Sequence, residues 1–200
     1  MSGETKKTRG RPKKINREEV IQAAMLCYWE EGPAGLSVNE ICRRLGVSKP
    51  ALYREFGGVE QLMVEALDCY RGRVLEPLMS LFVPERPAAV AFGLLAGWLG
   101  KEQVGPAGCL FSKMRSSPSL IPESVVTRTQ EIQEELRTVY AAWYTAATAR
   151  GEVKPDLTPE LAAHYIDSQV MNAMVKLGLG DDREVVAMHT QLALGGLLVA

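Results

Sequence analysis

The chain has 200 residues, 46% of them hydrophobic and 24% charged, with a net charge of -1, a balance that suits a globular protein with one large or two small domains. Its four cysteines (Cys27, Cys42, Cys69 and Cys109) lie far apart with no C-x-x-C pair and no neighbouring histidine, which argues against a zinc site and against a secreted disulfide framework. The longest uncharged apolar stretch, residues 88–100, is well short of the roughly 20 residues that cross a bilayer, and no apolar run follows the basic N-terminus as a signal peptide requires. The expected setting is therefore the cytoplasm, with no membrane partner, no metal site and no cofactor.

Read in chain order, the sequence opens on a basic arm. Residues 1–15 carry Lys6, Lys7, Arg9, Arg11, Lys13 and Lys14 against Glu4 alone, a block that stays solvated or meets a polyanion. Helical periodicity follows throughout, and alternating strand patterns with hairpin turns are missing. The first helix starts after Asn16, with Glu19 placed for a capping box, carries Val20, Ala24 and Cys27 flanked by Ile21 and Tyr28 as its stripe, and stops at Gly32-Pro33. Ser37 opens a second helix with Glu40 three residues on, and Gly46 closes it. Ser48 opens a third, with Pro50 in its first turn, over residues 49–56. Ile41, Leu45, Val47, Leu52 and Phe56 can meet in one small core between these two helices. Beyond Gly57-Gly58 the pattern predicts a helix over 59–82 kinked near Pro77, then 87–100, one from about Cys109, a long one over 123–150, one from Thr158 to about Gly178, and a last one from Asp181 to the C-terminus. The expected fold class is all-α with about nine helices.

Two short helices joined by Gly46-Val47-Ser48 form a helix-turn-helix pattern. The stretch LSVNEICRRLGVSKPALYREFGGVEQL, residues 36–62, resembles the DNA-binding domain of the TetR family of bacterial regulators, through Ser37, Ile41, Gly46-Val47-Ser48, Leu52-Tyr53, Phe56 and Leu62. The resemblance is specific over residues 16–70. Beyond the basic arm over 1–15 that the charge pattern marks, it implies a three-helix DNA-binding domain over 16–58 with the helix-turn-helix, and a C-terminal helical ligand-binding and dimerisation domain over 59–200. One departure concerns electrostatics: Val59 stands where the family usually has a lysine that meets a DNA phosphate, which removes about one unit of salt slope.

The second helix of such a motif enters the major groove with its N-terminal residues at the base edges. Lys49 can donate to guanine, Pro50 and Ala51 suit a thymine methyl, and Arg54 can reach a base or a phosphate. Tyr53, by resemblance, contacts a phosphate. Ser37, Asn39 and Ser48 stand near helix N-termini and can donate to the DNA backbone. In the arm, Arg9-Gly10-Arg11-Pro12 resembles the core of an AT-hook, in which the arginines enter a narrow minor groove. A generic basic tail making phosphate contacts fits the same residues.

The C-terminal part concentrates Phe92, Trp98, Cys109, Phe111, Met114, Tyr140, Trp143, Tyr144, His164, Tyr165 and Met171. They read either as the wall of a ligand pocket or as bundle core, and Cys109 at a helix N-terminus could be a thiol of lowered pKa. Ala162, Ile166, Val170, Ala173 and Leu177, then Val185, Met188, Leu192, Gly195, Gly196 and Val199, recur at helical spacing and are the expected dimer interface. His164 and His189, the only histidines, have no nucleophile motif or metal spacing beside them, so an enzyme is not expected. The expected function is a ligand-responsive regulator: a homodimer that binds a palindromic double-stranded DNA operator, most simply a repressor released by an unidentified small-molecule effector. An activator and an architectural DNA binder without a ligand are the alternatives.

Overall fold

The computed structural model describes residues 16–33, 35–101, 106 and 108–199. Helix α1 (Arg17–Glu31) begins where predicted, although the Asn16 side chain makes no capping bond. Glu18 and Glu19 in the first turn favour the positive end of the helix dipole instead. The buried stripe of α1 is Val20, Ala24, Met25, Tyr28 and Trp29, with Ile21 and Cys27 at its half-buried margin.

Helices α2 (Val38–Leu45) and α3 (Lys49–Phe56) form with the predicted bounds. The Ser37 hydroxyl accepts the Glu40 N–H at 3.2 Å, and the Ser48 hydroxyl accepts the Ala51 N–H at 3.3 Å. Ile41, Leu52 and Phe56 are buried between the two helices, with Leu45 and Val47 partly buried around them. Gly46 turns the chain with φ 63° and ψ 27°, a left-handed conformation that L side chains resist by about 1 kcal/mol or more. Gly46→Ala is therefore expected to lower the melting temperature by about 2–4 °C, and Gly46→Asn by less, because asparagine visits this region. A thermal melt followed by circular dichroism checks both.

Residues 59–82 form one helical path in pieces: α4 (Val59–Tyr70), a π turn (Arg71–Leu75), α5 (Glu76–Met79) and a 3₁₀ turn (Ser80–Phe82). The irregularity expected at Pro77 lies a turn earlier. A proline ring crowds the carbonyl four residues back, and the π turn widens the ladder there, with the Glu76 N–H bonded to the Arg71 carbonyl. The remainder is α6 (Ala88–Gly100), α7 (Leu110–Arg115), α8 (Glu123–Ala149), α9 (Pro159–Gly178) and α10 (Arg183–Gly195). With 59–82 counted once, the described residues hold nine α-helical segments.

Helix α8 runs through the C-terminal bundle, packed on α9, on α4 and on the 59–82 path, while α10 lies across α6 and α9. The last helix stops at Gly195 instead of reaching the C-terminus. Paired glycines weaken a helix, and here the chain folds back so that Leu198 bridges Val153. The Lys154 N–H bonds to the Leu197 carbonyl at 2.9 Å, and the Lys154 ammonium to the Gly196 carbonyl at 2.8 Å.

Besides its packing on α4, helix α1 is held to this bundle at a buried joint. The Trp29 indole on α1 donates to the Gly108 carbonyl at 3.2 Å, and its ring meets Tyr70 edge-on at 4.9 Å. The Lys113 ammonium on α7 donates to the carbonyls of Trp29 and Glu30 at the end of α1. Helix α1 has no basic residue in its last turn, so this lysine supplies the cation that the C-terminal dipole favours. Gly108 (φ 84°) lies so close to Gly178 that a Cβ there would stand 2.9 Å from its Cα. Glycine is required at this crossing by both its backbone angle and the space.

Candidate nucleic-acid interface

The α3 residues that the sequence singles out share one outward face. Lys49, Pro50, Tyr53 and Arg54 are exposed and Ala51 is half-buried, while Leu52 and Phe56 take the inward side. Tyr53 is 51% exposed, unusual for a large aromatic side chain, and its ring leans over Gly58, whose φ is 152°. Arg54 meets Glu55 at 3.3 Å, a surface pair weak enough for a phosphate to displace. Asn39 is exposed on α2. Ser37 and Ser48 are exposed too, but their hydroxyl oxygens already accept backbone amides, so toward DNA they act as donors. Arg9 and Arg11 lie outside the described residues.

Sequence reasoning passed over Arg43 and Arg44, whose signal was a doubled cation in the last turn of α2, where a helix dipole attracts cations. Glu40 accepts from Arg43 at 2.5 Å and from Arg44 at 2.8 Å, and Arg44 also reaches Glu31 on α1. Hydrogen bonds from Arg43 and Arg44 pull the Glu40 carboxyl down to about 2. The folded pKa lies below the unfolded one, so this pairing is intact at neutral pH and fades only as pH falls toward 2.

Among the described residues, most of the expected pocket residues are packed in the core. Phe92, Cys109, Phe111, Met114, Tyr140, Trp143 and Tyr144 are buried, and several meet ring to ring: Phe82 with Tyr140 at 4.9 Å, and Trp143 with both Phe82 and Phe92 at 5.3 Å. Trp98, Tyr165 and Met171 are half-buried against this core, and His164 is exposed on a groove between α8 and α9. Dispersion and area burial explain the aromatic surplus as core. Cys109 caps α7 and its Sγ accepts from the Tyr70 hydroxyl at 3.2 Å. Burial nonetheless pushes its thiol up, against the hydrogen bonds from Tyr70 and the α7 amides, so the expected lowered pKa is not found.

A polar cluster that sequence reasoning missed lies among α7, α8 and α9. The Asp167 side chain is 6% exposed, and Arg115 donates to both of its carboxylate oxygens at 3.3 Å. Arg137 stands 3.9 Å away. The Gln133 amide, with its oxygen turned between the guanidiniums, accepts from Arg115 and Arg137 at 2.6 Å each. Its signal was an acid set among the buried positions Ala163, Ile166 and Val170 of α9.

Residues 20–66, from α1 through most of α4, match the profile of bacterial regulatory proteins, tetR family. Over 191 residues the chain is 26% identical to the HTH-type transcriptional repressor ComR of Escherichia coli (strain K12), covering 90% of this chain and 87% of that one. Residues 20–66 are a TetR-family DNA-binding segment. The repressor BdcR of the same organism is 33% identical over 78 residues, 39% of this chain and 40% of that one. The structure of the TetR-family regulator CifR in complex with 26-base-pair operator DNA superposes with a TM-score of 0.80 at 22% identity, covering 94% of this chain and 100% of that chain. At that identity the likeness shows a shared TetR fold.

C-terminal to this TetR-family segment the expected interface residues divide. Val185, Met188, Leu192 and Val199 are exposed, at 62%, 68%, 79% and 51%. Gly196 is exposed and Gly195 half-buried. Ala162, Ile166, Val170, Ala173 and Leu177 are instead buried inside the protomer and cannot meet a second chain. The outward face of α9 carries Leu161, His164, Ser168, Val175 and, just past its end, Leu179. Among the described residues no helix is long and apolar enough to cross a membrane.

Proposed function

We propose that the protein is a homodimeric TetR-family repressor that binds a two-fold symmetric operator through α3 and is released by a small molecule. The observation that carries the reading is the exposed face of α3, with Lys49, Pro50, Tyr53 and Arg54 held outward by a closed core beneath. ComR and BdcR, both repressors by name, support the direction of control. Titrating the protein against its own upstream DNA, at two salt concentrations and with excess random DNA, tests the reading. Competitor-resistant binding supports it. Binding that random DNA removes favours an architectural role, and operator binding that raises transcription in vitro favours an activator.

Two recognition helices reach two half-sites about one helical turn apart only in a dimer. Val185, Met188 and Leu192 on α10, with Leu161, Val175 and Leu179 beside them, are the apolar surface for that contact. A two-fold interface brings the same patch to both partners, so Leu192→Glu places two carboxylates in it. The expected result is a shift from dimer to monomer in sedimentation velocity at micromolar protein, with loss of operator binding and little change in helix content.

Release follows if a ligand favours one arrangement of the bundle, because α4 packs both on α1 and α3 and on α7 and α8. A change in its tilt alters the spacing of the two recognition helices, and the ligand's preference for that tilt sets the shift.

A further inference from the structure

A cavity of about 300 Å³ lies between α7 and α8, with Met114, Ile121 and Val126 as apolar walls and Arg115, Gln130 and Gln133 as polar ones. Its volume is at the lower end for small-molecule sites, which combine apolar walls with a few convergent polar groups. No acidic residue lines it. Arg137, the other guanidinium on Asp167, instead lines the groove that carries Glu134 and Glu160. Asp167 is thus shared between two cations, of which Arg115 lines the cavity. Arg115 is 22% exposed and carries its charge on a planar fork that matches a carboxylate.

We infer that this cavity is the effector site and takes a small monocarboxylate with an apolar body, bound through Arg115 and Gln133. The inference rests on the ligand-responsive reading above and gives it a chemistry. Binding there bears directly on the DNA-binding helices. Arg115 ends the short helix whose Lys113 holds the last turn of α1 and whose preceding Gly108 accepts from Trp29. A carboxylate in the cavity competes with Asp167 for the Arg115 guanidinium. That loosens α7 from α9 and shifts the helix that anchors α1.

The test uses benzoate and hexanoate, with benzamide and hexanamide as uncharged counterparts, measured by calorimetry and by tryptophan fluorescence on the full chain. The expected result is saturable binding of a carboxylate but not its amide, weakened at least tenfold by Arg115→Gln. Gln130 is exposed, so Gln130→Glu leaves the core intact while adding an acid to the cavity wall, and a similar loss is expected. Absence of saturable carboxylate binding, equal binding of the amides, or binding indifferent to both variants overturns the inference. DNA binding measured alongside separates the two claims. Carboxylates that bind through Arg115 yet leave operator affinity unchanged keep the site and reject ligand control at it. Release of the operator by an uncharged compound alone keeps ligand control and rejects the site.

Discussion

Replacing Lys49 and Tyr53 together by alanine is expected to remove competitor-resistant binding to the protein's upstream DNA while leaving its thermal midpoint within a degree or two. Both side chains are exposed on α3, and surface changes of this kind move stability by no more than about 0.5 kcal/mol. A lysine on a guanine edge contributes about 1–3 kcal/mol of discrimination. A dimer presents it twice, so Lys49→Ala alone is worth about 2–6 kcal/mol, roughly 30-fold to 10⁴-fold in affinity. Salt titration assigns the roles. A base contact leaves the salt slope unchanged, whereas Arg54→Ala, with the guanidinium on a phosphate, lowers it by about one unit per subunit. With Val59 where the family usually has a phosphate-binding lysine, the slope before any substitution is expected to be shallower. Loss of binding together with a lowered midpoint points to damaged folding, and an unchanged affinity removes α3 from the interface.

The helix-turn-helix was legible because its limits are written in local chemistry. Ser37 and Ser48 cap, Pro50 tolerates a first turn, and Gly46 and Gly57 supply positive φ. Each signal acts within a few residues, so sequence alone places it. The two faces of α9 were not legible for the opposite reason. Ala162, Ile166, Val170, Ala173 and Leu177 form one apolar stripe, and Leu161, Val175 and Leu179 form another. Periodicity shows that a stripe is buried but not whether its own bundle or a second copy buries it. The aromatic residues mislead similarly, since Phe82, Phe92, Tyr140 and Trp143 fill space against one another with the composition a pocket would have. The joint between Trp29, Gly108 and Lys113 and the pairing of Arg115 with Asp167 span residues far apart in sequence, and no local pattern announces them.

Asp167→Ala is expected to lower the melting temperature by about 4–12 °C, from a loss of about 2–3 kcal/mol. Its carboxylate, 6% exposed, stands between Arg115 and Arg137, and its removal leaves two guanidiniums sharing only the Gln133 oxygen. Breaking a fully buried pair costs about 3–5 kcal/mol. Arg115 and Arg137 keep 22% and 28% exposure, so water screens part of the repulsion and the lower figure applies. A combined substitution separates charge from packing. Asp167→Leu with Arg115→Met and Arg137→Met exchanges the charge cluster for apolar contact and is expected to recover most of the loss, whereas a loss arising from packing alone would persist. Asp167 is also what holds Arg115, and through it α7, to α9. The single variant therefore imitates the carboxylate-bound arrangement in one respect: its folded fraction should bind operator more weakly than wild type with no ligand present. A variant that melts early yet binds DNA at full strength when folded would show that α7 can leave α9 without disturbing α1, and the route from cavity to recognition helix would then have to run through α4.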